Sequence, residues 1–115
     1  MKILVCGGRD YIDKARLFSE LDKLKEQYPR ISHLIHGAAR GADSLADAWA
    51  LARGIQPVSC KANWAFFDHG RAGVFRNAAM LGLYPDLVVA FPGGRGTANM
   101  VLQARTRKVP VIQIA

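Results

Sequence analysis

No hydrophobic run in this chain approaches the roughly 20 residues that span a bilayer. The opening Met1-Lys2-Ile3-Leu4-Val5-Cys6 turns polar too soon for a secretory signal. The expectation is a soluble, cytoplasmic protein with no membrane partner. There are only two cysteines, Cys6 and Cys60, far apart and each within an apolar run. That spacing offers neither a metal knuckle nor a CxxC redox pair and predicts buried thiols. His33, His36 and His69 lack ligand-like spacing, so no metal is expected and structural or surface roles fit them better. Acidic residues are scarce, nine against 16 Lys and Arg, for a net charge of +7. Such a field suits an anionic partner without choosing one. Lys14, Arg16, Lys23 and Lys25 fall on the polar side of one helical stretch, where solvation is the usual reason, so arginines inside loops carry more weight. Internal repeats, low-complexity tracts and linkers are also missing, and 115 residues are too few for two ordinary domains. One domain over residues 1–115 is expected.

What the chain does contain is an alternation of short apolar runs and amphipathic stretches. Ile3 to Cys6 reads as a buried strand ended by Gly7-Gly8. Asp13 to Tyr28 places Leu17, Leu21, Leu24 and Tyr28 on one helical face before Pro29. His33 to His36 is a second strand, followed by a helix with Leu45, Ala48, Trp49 and Ala52 on one face and Gly54 at its end. Gln56 to Cys60 is a third strand. The periodicity fails between Lys61 and Gly73, where Asn63, Trp64, Phe66 and Phe67 suggest a functional loop. Val74, Phe75, Ala78 and Leu81 fit a helix to about Tyr84, Leu87 to Phe91 a fourth strand, Thr97 to Lys108 a fourth helix and Val109 to Ile114 a fifth strand. This order predicts a three-layer α/β fold, with a mostly parallel five-stranded sheet covered on both faces.

Parallel sheets bind ligands beyond the carboxyl ends of their strands, where strand order reverses. That edge would gather Gly7-Gly8-Arg9-Asp10, the Gly37 to Asp43 segment with Arg40 and Gly41, the Asn63-Trp64 loop, and Gly93-Gly94-Arg95-Gly96-Thr97. The last of these organises the reading. Its three glycines can turn successive N–H groups toward one anion, and Thr97 can cap the helix that follows. The Gly7-Gly8-Arg9-Asp10 loop lacks the full spacing of a dinucleotide fingerprint, and no Walker lysine is present, so an ordinary NAD enzyme or P-loop nucleotidase is unsupported.

Gly7-Gly8-Arg9, His36-Gly37-Ala38-Ala39-Arg40-Gly41-Ala42-Asp43, Ala62-Asn63-Trp64, Ala72-Gly73 leading to Arg76-Asn77 and Met80, and Phe91-Pro92-Gly93-Gly94-Arg95-Gly96-Thr97 together resemble the SLOG superfamily, in particular its YspA-like members. The resemblance covers nearly the whole chain. It implies a Rossmann-like domain that binds a nucleotide or nucleotide-derived ligand and needs no cofactor. The superfamily includes the LOG phosphoribohydrolases and the DNA-processing protein DprA; for YspA-like members the resemblance implies ligand sensing without an established reaction. The LOG pattern ends in a glutamate needed for N-glycosidic cleavage, and here that position is Met100, with Asn77 where a lysine would stand. Methionine can neither stabilise an oxocarbenium-like centre nor direct water to it. Asp10, Asp43 or Asp68 could substitute, so no catalytic residue is assigned.

The expected ligand contacts are Gly8, Arg9, Gly37, Arg40, Gly41, Asp43, Trp64, Arg76, Asn77, Gly93, Gly94, Arg95, Gly96 and Thr97. Each has a quieter explanation. Asp43 suits a helix first turn without touching ribose or metal; Arg9 and Arg40 can be idle surface cations; Trp64 can be core instead of a stacking platform. Three functions therefore stand: nucleotide-ligand sensing, a phosphoribohydrolase-like enzyme acting on nucleoside monophosphates, and single-stranded nucleic-acid binding. The third lacks interleaved aromatic and basic residues. A homodimer is expected from the apolar surface offered by Val74, Phe75, Leu81 and Met100.

Overall fold

The computed structural model of the chain describes residues 1–62 and 69–115, and the Asn63-Trp64 loop expected above lies outside them. Five strands, β1 (Lys2–Cys6), β2 (His33–His36), β3 (Gln56–Ser59), β4 (Leu87–Ala90) and β5 (Val111–Gln113), alternate with helices α1 (Lys14–Gln27), α2 (Ala42–Ala52), α3 (His69–Leu81) and α4 (Arg95–Thr106). The sheet order is β3-β2-β1-β4-β5, and every pairing is parallel. β1 is central, with Leu4 opposite Ile35 on one side and Val88 on the other.

Alternate residues of the strands enter two separate cores. Ile3, Val5, Leu34, Leu87 and Val89 face Leu17, Leu21 and Leu24 of α1 and Ala46 and Trp49 of α2. Leu4, Cys6, Ile35, Val88 and Ala90 face Met80 and Leu81 of α3 and Met100, Val101 and Ala104 of α4. A sheet apolar on both faces must be covered on both, which fixes the α1α2/sheet/α3α4 sandwich. Burial raises the Cys6 thiol to about 12. Cys60 is only partly covered, against the expectation for that thiol. No helix among the described residues is long and apolar enough to cross a membrane.

α1 begins where Asp13 accepts the Arg16 N–H at 3.1 Å. In α2 the buried stripe is Ala42, Ala46, Trp49 and Ala50, so Ala48 and Ala52 turn to solvent, contrary to the expected face. Trp49 decides this: its ring is fully buried and its Nε1–H donates to Asp22 of α1 at 2.8 Å. α3 is rotated relative to its expected face. Ala72, Asn77, Met80 and Leu81 point inward, while Val74 and Phe75 are about half exposed. With Leu81 and Met100 inside the core, the apolar patch expected to support a dimer shrinks to Val74 and Phe75.

α4 starts at Arg95, two residues before the expected start, with Gly94 at the N-cap. Thr97 therefore lies inside the first turn, and no side chain caps the helix. Met100 lies in the core: it is 0% exposed within the α3/α4 cluster, not at a cleft edge.

Candidate functional site

Strand order reverses between β1 and β4, whose crossovers cover opposite faces of the sheet; such a switch opens a crevice at the carboxyl ends. The chain ties its loops together there. Phe91 N–H donates to the Cys6 carbonyl at 2.8 Å and Gly8 N–H to the Pro92 carbonyl at 2.9 Å, joining the β1 and β4 exits. The Gly8 carbonyl then accepts the Ala42 N–H at 3.1 Å, anchoring the start of α2. Gly41 makes that approach feasible. Its φ is +78°, and a Cβ there would strike the Gly8 carbonyl oxygen.

Between these loops and α3 lies a cleft of about 1130 Å³. It brings together Gly8, Arg9, Asp43, Arg76, Asn77 and the whole Gly93 to Thr97 segment. Gly37 and Arg40 instead line an adjoining cavity of about 380 Å³, which shares Arg9 and Arg76 with the cleft. Gly41 lines neither and acts behind the wall. Trp64 lies outside the described residues.

The glycines of the β4 exit divide into two kinds. At Gly93 a Cβ would collide with the Thr97 hydroxyl and come within 2.7 Å of the Gly8 nitrogen, so the fold itself requires glycine. At Gly94 and Gly96 a Cβ would meet nothing within 4 Å, and neither residue has a positive φ. Packing therefore gives no reason for these two to lack side chains; at Gly94, the N-cap, glycine is ordinary on helix-capping grounds, and at Gly96, inside the helix, it is not. They flank Arg95 at an uncapped helix N-terminus, where amide N–H groups and the dipole favour an anion.

Buried polar groups hold this segment from behind. Arg76 donates through Nη1 to the Gly37 carbonyl at 2.8 Å and through Nε to Asn77 Oδ1 at 3.0 Å. Asn77, 2% exposed, donates through Nδ2 to the Gly96 carbonyl at 3.2 Å and to Asn99 Oδ1 at 3.1 Å. Gln103 Nε2 donates to Asn99 Oδ1 at 2.8 Å and to the Val74 carbonyl at 3.1 Å. The network links the β2 exit, α3 and the first turn of α4. Asn77 thus positions the loop in addition to lining the cleft. Burial holds the Arg76 guanidinium below its ordinary range, Asp43 pulls it back up, and Arg9 presses it down again.

Asp43 sits in the first turn of α2 and is 6% exposed. Its Oδ2 accepts the Gly37 N–H at 3.0 Å and the Ala39 N–H at 3.2 Å, stapling the β2 exit loop. Burial nevertheless dominates and lifts its carboxyl above the ordinary 3.8, against those hydrogen bonds and the nearby His36 and Arg76. The unfolded chain releases this proton first. In the window from 3.8 up to the raised folded value the native protein holds more protons, so its stability falls as pH rises and levels off above that value. Asp43→Asn keeps an oxygen acceptor and removes the titration. Urea midpoints across this window should therefore fall with pH in the native protein relative to the variant. A difference that stays constant with pH would refute the assignment.

The lining also includes residues outside the expected ligand contacts, among them Tyr11, Met80 and Asn99 in the cleft and Lys61 in the adjoining cavity. Tyr11 stacks on the buried Phe91 ring at 5.5 Å between centroids, and its hydroxyl is buried without a hydrogen-bond partner among the described residues. The i, i+4 spacing of Asn99 and Gln103 is the one local signal for a polar stripe along α4. Lys61 opens the aperiodic stretch singled out above, which is its signal in the sequence.

The fold and the crevice define a Rossmann-like α/β protein with a glycine-walled cleft at its switch point. Residues 1–67 match the profile of the YspA, cpYpsA-related SLOG family, and the chain belongs to that family. It is also similar to the Gene 61 protein of Mycobacterium phage D29, with 34% identity over 119 aligned positions that cover 96% of this chain and 94% of the phage protein.

Proposed function

We propose that the cleft binds a nucleotide or nucleotide-derived ligand, with a phosphate seated on the amide groups of Arg95, Gly96 and Thr97. The observation that carries this reading is the open space at Gly96, inside the first turn of α4, where a side chain is absent although neither packing nor a positive φ forbids one. Close approach of an anion to backbone N–H groups is the remaining physical reason for glycine at such positions. Arg9, Arg76 and Arg95 add positive charge around the seat, and SLOG membership supports a nucleotide-related ligand.

Binding and sensing are favoured over glycoside cleavage, because the position corresponding to the LOG glutamate is a core methionine. Mass spectrometry of small molecules released from the purified protein tests the reading. The expected result is a phosphate-bearing nucleoside derivative. A retained compound without phosphate, or salt-sensitive retention of single-stranded oligonucleotides with no mononucleotide binding, would overturn it.

A further inference from the structure

We propose that the cavity beside the cleft is a second anion-binding subsite, so that the ligand is a nucleotide derivative carrying a second phosphoryl group beyond the one held at α4. This rests on the reading given above and extends it from a ligand class to a charge pattern.

The cavity of about 380 Å³ is lined by Arg9, Arg40, Lys61 and Arg76 together with Gly37, Ala38, Ala39 and Ala62, and among the described residues no carboxylate belongs to its wall. The four cations come from the exits of β1, β2 and β3 and from α3. Convergence from four segments differs from the ordinary solvated face of one helix, where neighbouring charges spread outward. The larger cleft, by contrast, includes Asp10 and Asp43 in its wall. The more positive compartment is therefore the smaller one. Like charges gathered in one concavity repel each other, and a bound anion removes that cost.

The two compartments adjoin, since Arg9, Ala39 and Arg76 line both. A ligand with one phosphate on α4 can reach past Arg76 into the basic cavity. The means of holding an anion differ between the two. Three backbone donors of the β2 exit are already committed: Gly37 and Ala39 N–H groups donate to Asp43, and the Ala38 N–H donates to His36 Nδ1 at 3.0 Å. The charge for binding there comes from side chains. Arg40 is well suited, because its ion pair with Asp10, at 3.3 Å, joins two highly exposed side chains and is easily exchanged for a phosphoryl group.

The test is an amide chemical-shift titration of the full chain with inorganic phosphate, repeated on the Arg40→Ala, Lys61→Ala double variant. Both replaced residues are exposed, so the fold is retained, and the unchanged remainder of the amide spectrum verifies this. The expected result is two sets of shifts, one at Arg95 to Thr97 and one at Gly37 to Gly41 with Lys61. In the variant the second set should weaken at least about tenfold while the first is kept. Shifts confined to Arg95 to Thr97 would overturn the second subsite and leave the α4 seat standing. Shifts confined to the Gly37 to Lys61 set would support the subsite and overturn the α4 seat. A second set that survives the double substitution unchanged would overturn its assignment to these side chains.

Discussion

Gly96→Ala should make this protein more stable and a worse binder. Gly96 lies in the first turn of α4, and its Cβ would point into open space. Alanine there should restrict the unfolded chain and favour the helix, raising stability by about 0.5–1 kcal/mol. The same methyl group would occupy the approach to the amide cluster and lower nucleotide affinity by at least about tenfold. Gly94→Val should act more strongly on binding, because its branched side chain projects from the N-cap position itself. We expect binding to be lost while the fold is kept, with the stability change set by replacing an N-cap glycine. Calorimetric titration with adenosine and guanosine mono- and diphosphates reads the first effect, and urea unfolding reads the second. Unchanged affinity in both variants would show that the glycine cluster is not the phosphate seat.

Met100→Glu should unfold the protein instead of creating a glycosidase. On sequence grounds this position borders the sugar, and restoring a carboxylate offers a slight gain in activity. In the structure Met100 is fully buried among Leu4, Ile35, Met80 and Val88. A carboxylate there has no partner, and the expected loss is on the order of 3–5 kcal/mol. The pH dependence follows from the same burial. The folded pKa of the introduced glutamate would lie above its unfolded value of about 4.3, so the deficit is smallest below that pH and grows as pH rises toward the folded value. Neither the unmodified protein nor the variant should release free base from adenosine monophosphate at an enzymatic rate, as followed by chromatography. A stable Met100→Glu protein that releases base would place this position at the sugar and favour the enzyme.

The order of elements was legible because each strand is a short apolar run and each crossover carries a helical stripe. The cleft was legible because the β1, β2 and β4 exits all carry glycine or arginine, and a parallel sheet sends those exits to one edge. Orientation within the helices was less so. Val74, Phe75, Ala78 and Leu81 form a valid helical stripe by spacing, yet α3 turns Asn77 inward to bind the Gly96 carbonyl and Asn99. A buried polar network of this kind has no hydropathy signature. Thr97 was expected to cap α4, but the turn at Gly94 lets the helix begin earlier, and Met100 packs in the core. The glycine cluster likewise reads as one motif in sequence. Only the surroundings separate Gly93, whose Cβ would collide with its neighbours, from Gly94 and Gly96, where a Cβ would meet nothing.

The central claim is that the first turn of α4 holds the phosphate of a nucleotide-derived ligand. Its most direct test is the amide spectrum of the protein titrated with a panel of nucleoside mono- and diphosphates. The account predicts that at least one member saturates the protein, with the largest shifts at Arg95, Gly96 and Thr97 titrating together. Saturable nucleotide binding that leaves those three amides unmoved would contradict it.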